Sequence, residues 1–150
     1  MKKKPSIMIV VWGIAVLCTL FLSSCKRPEV LDNSTLVNSA RNVALTFGPA
    51  YVPFFKEANV SDVQVFKKED YGGDSRPQIR KQIGRKFYTV TFTYDSTAVK
   101  FDFGFAARVR IWKDTGEPLD VIFGNGWGRN FLFLSFKEQT NHSPNDYEKV

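Results

Sequence analysis

Every odd position from 101 to 111 is apolar. Phe101, Phe103, Phe105, Ala107, Val109 and Ile111 alternate with Asp102, Gly104, Ala106, Arg108 and Arg110. Successive side chains of a strand point to opposite faces, so this period predicts a strand with one buried face. A sheet with one apolar face must bury it against a second layer, which the same chain has to supply.

The flanking segments repeat the pattern. Tyr88, Val90, Phe92 and Tyr94 fall on one face of a predicted strand, and Phe87, Thr89, Thr91 and Thr93 on the other. Val63 and Val65 suggest a short strand, with Phe66 on its opposite face. Leu119 to Phe123 and Phe131 to Phe136 read as two more. Turn residues separate these runs: Asp95-Ser96, Asp114-Thr115-Gly116 and Gly124-Asn125-Gly126. Asn-Gly is a strong hairpin dipeptide, and short turns join antiparallel neighbours. The second layer comes from Leu36, Val37, Ala40, Val43, Ala44 and Phe47, which share one stripe at helical spacing. Asn33 or Ser34 can cap that helix, and Gly48-Pro49 ends it. Ala50 to Phe55, with Pro53 inside, reads as a short helix or a packed loop.

The expected fold is α+β: an N-terminal amphipathic helix packed on an antiparallel β-meander of about four to five strands, forming one domain over 34–137. A length of 150 residues suits a single domain. The element order is similar to that of the small cystatin-like and NTF2-like α+β scaffolds. That resemblance implies a fold only, because such scaffolds host unrelated functions.

The N-terminus belongs to a different class of sequence. Lys2, Lys3 and Lys4 precede an apolar run from Ile7 to Leu22, shorter than the roughly 20 residues a spanning helix needs. The run closes on Leu22-Ser23-Ser24-Cys25, and Lys26 and Arg27 follow. That tetrapeptide resembles the bacterial lipobox, and the resemblance implies a bacterial lipoprotein. Residues 1–24 would be a signal peptide cut after Ser24, Cys25 would carry the acyl chains, and 25–33 would be a tether. Two or more acyl chains anchor a protein stably. In well-studied Gram-negative bacteria an Asp directly after the lipidated Cys retains the protein at the inner membrane. Lys26 departs from that signal, so the resemblance implies the outer membrane, and the lack of an acidic cluster just after Cys25, of the kind some bacteria use for surface export, favours the periplasmic face. Cleavage would also discard Cys18, so of the two cysteines only the anchor would remain.

Charge and composition narrow the function. Cleavage removes three of the lysines behind the formal +6, so half of that excess belongs to the leader. The single histidine, His142, lies in a polar tail over 138–150, which excludes a His-based metal cage and disfavours a His-dependent triad. No Gly-x-Ser-x-Gly elbow or phosphate loop is present. Asp102, Glu117 and Asp120 are the carboxylates that acid–base chemistry could use, and a cross-strand charge ladder with Arg108 and Arg110 explains them equally. No catalytic residue, cofactor or metal is therefore expected. The Asn-x-Ser/Thr triplets at Asn33, Asn59 and Asn141 are discounted in such a lipoprotein.

Two features point to binding. Residues 69–86 read as a long mobile loop in which Arg76, Arg80, Lys81, Arg85 and Lys86 gather without an intervening acid. Such a cluster suits phosphate-bearing lipid headgroups or an acidic envelope protein, and nucleic acid is not expected in that compartment. Trp127, between two glycines at a hairpin tip, suits recognition when exposed. Trp112 lies on the sheet face away from the Phe stripe; if that face is apolar near Trp112, Leu132, Leu134 and Phe136, a loop, a partner or a ligand must cover it. The expected role is a non-catalytic interaction lipoprotein, such as an accessory subunit of an envelope-spanning machine. The alternative is a periplasmic small-ligand binder that uses the sheet face against the helix; a carboxylate-based hydrolase ranks behind both.

Overall fold

The structure is a computed structural model, and it describes residues 31–141. The lipobox with Cys25, and the end of the polar tail from His142 to Val150, lie outside the described residues.

Helix α1 spans Asn33–Phe47. Its N-cap is Asp32, one residue ahead of the two expected candidates. The Asp32 carboxylate accepts the Thr35 backbone N–H at 2.7 Å and the Ser34 hydroxyl at 3.0 Å. These bonds hold the carboxyl below its usual range, the Thr35 N–H contributing most. Gly48 ends the helix, and Pro49–Phe54 continues as a 3-10 turn.

The sheet is antiparallel and six-stranded. β1 (Ala58–Val60) and β2 (Gln64–Val65) both pair with β3 (Lys86–Phe92) and together form one broken edge strand. Ser61 joins them: its N–H donates to the Thr89 carbonyl at 2.9 Å, and its hydroxyl oxygen accepts the Thr89 N–H at 3.0 Å. β4 (Ala107–Trp112), β5 (Pro118–Phe123) and β6 (Gly128–Asn130) follow in meander order. The fold is α+β, with α1 across one face. Leu36, Ala40, Val43 and Ala44 of α1 bury Val90, Phe92, Ala107, Val109, Ile111, Val121 and Phe123 in one core.

Four expectations change. The long alternating strand is regular only from Ala107. Residues 101–106 bend away, and Phe101 packs on Tyr51, Phe54 and Tyr94, with ring centroids 4.7–5.8 Å apart. Residues 131–136 are not a strand: the last strand lies earlier, at Gly128–Asn130, and Phe131 enters the core. Helix α3 (Phe136–Asn141) replaces the start of the expected tail. Its Gln139 side chain donates to the carbonyls of Asn130 (2.6 Å) and Leu134 (2.9 Å), which satisfies edge groups that a further strand would have used.

The fourth change concerns residues 69–86, which are folded rather than a mobile loop. They include a 3-10 turn at Lys68–Tyr71 and the short helix α2 at Pro77–Arg80. Phe66, Ile79 and Tyr71 pack on Phe87, Trp112 and Leu119, forming a second core on the far face of the sheet. One end of that face is therefore covered by the chain itself.

Candidate functional site

The sheet has two distinct ends. At one lie the start of β3, the end of β4 and the β4–β5 turn. At the other lie the loop 93–106 and the β5–β6 turn. β4 alone separates them by about 17 Å.

The expected partner residues divide between these ends and the far face. Arg85 lies over Trp112, its Cζ 4.0 Å from the ring centroid, and pairs with both Asp114 oxygens at 2.6 and 3.0 Å. It also donates to Gln82 at 2.6 Å. The guanidinium holds the Asp114 carboxyl below its usual range. Arg76 pairs with Asp74 and lies 4.0 Å over the Phe133 ring, so it is engaged elsewhere. Arg80, Lys81 and Lys86 are exposed and form no ion pair among the described residues. Lys86 sits beside Lys113, whose N–H donates to the Lys86 carbonyl at 2.9 Å.

Trp127 stands at the opposite end. It is 42% exposed, and the neighbouring Phe103 is 44% exposed. The Trp127 ring stacks on Phe123 at 5.4 Å with Arg129 above it at 5.3 Å. Phe103 stacks on Phe105 at 5.3 Å, and Arg108 covers Phe105 at 4.2 Å. The Phe103 N–H donates to the Gly124 carbonyl at 2.9 Å, which ties the two loops together. Gly126 takes φ +84 in the turn, a region glycine enters without strain. The aromatic partner Phe103 was missed in the sequence because the alternating pattern assigned it to a buried strand face.

Between the ends, the far face holds an ionic network. Arg110 and Asp120 are cross-strand neighbours, and Asp120 is only 5% exposed. The Arg110 Nε contacts both Asp120 oxygens at 2.9 and 3.0 Å, and its Nη2 closes a further bond. The Tyr71 hydroxyl donates to Asp120 at 3.1 Å, and Asp70 stands 4.0 Å from Arg110. Burial, then the Asp120 charge, raises the Tyr71 hydroxyl far above its ordinary value. Burial alone would lower Arg110, but the bond and charge of Asp120 outweigh it and keep the guanidinium ionised. The expected charge ladder is thus present as Arg110–Asp120, but buried. Asp102 is exposed outside the strand, and Glu117 is exposed beside the β4–β5 turn, so the three carboxylates are not brought together.

Beside this network is an open groove of about 540 Å³. Ser61, Gln64, Thr89, Thr91, Arg108 and Ile122 contribute to its lining. It lies on the face opposite α1, not between sheet and helix where the small-ligand alternative was expected; the helix side is filled by side chains. No three metal-ligating side chains converge among the described residues, and no described helix is long and apolar enough to cross a membrane. No family model, curated protein or solved structure matches the chain.

Proposed function

We propose that the chain is a lipid-anchored, non-catalytic interaction protein of the outer membrane, facing the periplasm on an acylated Cys25. Its Trp127–Phe103 end is the part offered to an envelope protein. The observation that carries this reading is the pair of exposed aromatic rings on two loops pinned to each other. Tryptophan is enriched among residues that dominate interface energies. A ring already held between Phe123 and Arg129 loses little rotamer freedom on binding, which lowers the cost of association. Tethering to a membrane further raises the local concentration of partners.

The test is copurification from detergent-extracted membranes. Trp127→Ala combined with Phe103→Ala should reduce partner recovery at least about thirtyfold, the effect of a 2 kcal/mol hot spot. Unchanged recovery refutes the aromatic end. Separately, Cys25→Ser should release the protein from membranes and abolish fatty-acid labelling; continued membrane residence would instead indicate an uncleaved signal anchor.

The far-face groove supports a second reading, a small polar ligand held by Thr89, Thr91, Gln64 and Arg108. A ligand of that kind should raise the melting temperature of the wild-type chain and not that of an Arg108→Ala variant.

A further inference from the structure

The proposed anchor leaves open which end of the domain meets the bilayer. We infer that the β4–β5 end is a membrane-facing surface for anionic phospholipid headgroups, docked on the leaflet that carries the acylated Cys25. The inference rests on the lipid-anchor reading and adds an orientation and a ligand class to it.

The tether starts at this end. The Leu31 side chain lies against Gly116 of the β4–β5 turn: a Cβ on that glycine would stand 3.3 Å from Leu31 Cδ2. Helix α1 then runs from this end toward Phe123, whose ring lies against Gly48. Six peptide steps separate Cys25 from Leu31. They span at most about 20 Å even when fully extended. An anchored Cys25 therefore keeps the β4–β5 end within about 20 Å of the bilayer, a reach similar to the length of the sheet, so the surface chemistry decides which end docks.

The surface at that end has the matching chemistry. Lys86 and Lys113 are backbone-bonded neighbours, and both are exposed. Arg80 and Lys81 precede Gln82, which is held by Arg85 over Trp112. Asp114 at this end is already paired with Arg85. Two exposed apolar side chains lie among these cations: Val65, the strand partner of Lys86, and Ile83, 46% exposed. Cations around a small apolar pair match an interface where phosphates lie above acyl chains. Basic side chains near an anionic leaflet are drawn to its phosphates. The aromatic end then points away from the membrane, toward the periplasm.

The mature chain carries its own probes, Trp112 at the basic end and Trp127 at the far end. The acylated full-length mature protein is reconstituted in vesicles of phosphatidylcholine with or without phosphatidylglycerol, doped with a dansyl-headgroup lipid. Energy transfer is measured from wild type, from Trp127→Phe (leaving Trp112) and from Trp112→Phe. If Trp112→Phe does not fold, subtracting the Trp127→Phe signal from wild type supplies the Trp127 value. The expected result is several-fold greater transfer from Trp112 than from Trp127 on anionic vesicles. That bias should be lost in Lys86→Glu/Lys113→Glu and in 1 M salt, where the screening length falls to about 3 Å. Equal transfer, or greater transfer from Trp127, by protein that still sediments with the vesicles overturns the orientation and leaves the anchor standing. A chain from cells that bears no acyl group on Cys25 overturns the anchor, and with it this inference.

Discussion

Asp120→Ala isolates the interaction that holds the folded 66–85 segment onto the far sheet face. The substitution removes the carboxylate that binds Arg110 and accepts the Tyr71 hydroxyl. The Arg110 side chain is 16% exposed, so its charge would be left largely desolvated. Removing one partner of a buried pair costs about 3–5 kcal/mol. Asp70, 4.0 Å away, can partly replace the lost carboxylate, which places the expected loss near the lower bound, about 3 kcal/mol. With an unfolding entropy of about 2.1 cal/mol/K per residue over roughly 110 ordered residues, that corresponds to a fall in Tm of about 13 °C. Thermal and guanidinium unfolding, monitored by circular dichroism, read it directly. The companion Asp120→Leu/Arg110→Met replaces the pair with apolar volume and should recover most of the loss, because a buried pair and a packed apolar pair are often near equal. A loss under about 1 kcal/mol in Asp120→Ala would refute the buried-network account. So would a double variant as unstable as the single one.

Three further outcomes follow from the same packing. Tyr71→Phe should flatten the loss of stability at alkaline pH. Below the ordinary tyrosine value of about 10 both states keep the proton and the buried hydroxyl contributes fully; above it the unfolded chain ionises first, so stability falls as pH rises. Unfolding measured between pH 9 and 11 checks the slope, and an unchanged slope contradicts the burial of Tyr71. Ile79→Ala should cost about 2–5 kcal/mol and strip hydrogen-exchange protection from residues near 79–85; a silent substitution would mean that the segment does not pack on the sheet. Gly48→Ala should destabilise by about 1–3 kcal/mol, because its Cβ would overlap the Phe123 ring, and Phe123→Leu in the same chain should relieve part of that cost.

The sequence made the sheet and helix legible wherever a local period was tied to burial. Val109 and Ile111 alternate with Arg108 and Arg110 in the strand as they do in the sequence, and Leu36, Ala40, Val43 and Ala44 form the buried stripe of α1. The same alternation misleads over 101–106. Phe101 and Phe103 satisfy a period of two, but their rings are used by a loop-end aromatic cluster that only the tertiary structure assembles. Residues 69–86 hid their fold for the opposite reason. Ile79 and the partly buried Tyr71 anchor a mostly polar stretch in which they and Ile83 are too scattered to set a period. The covering of Trp112, open in the sequence to a loop, a partner or a ligand, is supplied by Phe66 and Arg85 of the same chain. In the candidate sites, the basic cluster was legible as residues but not as a surface. Arg76 and Arg85 are taken up by Asp74 and Asp114, carboxylates whose proximity no linear spacing reveals. Trp127 stood out through its flanking glycines, but its placement at the end opposite Lys86 requires the strand register.

Site-specific photo-crosslinking in intact cells reads out whether the anchored protein presents its aromatic end to a partner. A photoreactive residue at position 103 or 127 should give a discrete adduct with an envelope protein. The same residue at exposed Leu45, on the outer side of α1, should give none. No adduct from 103 or 127, or the same adduct from all three positions, would contradict the account.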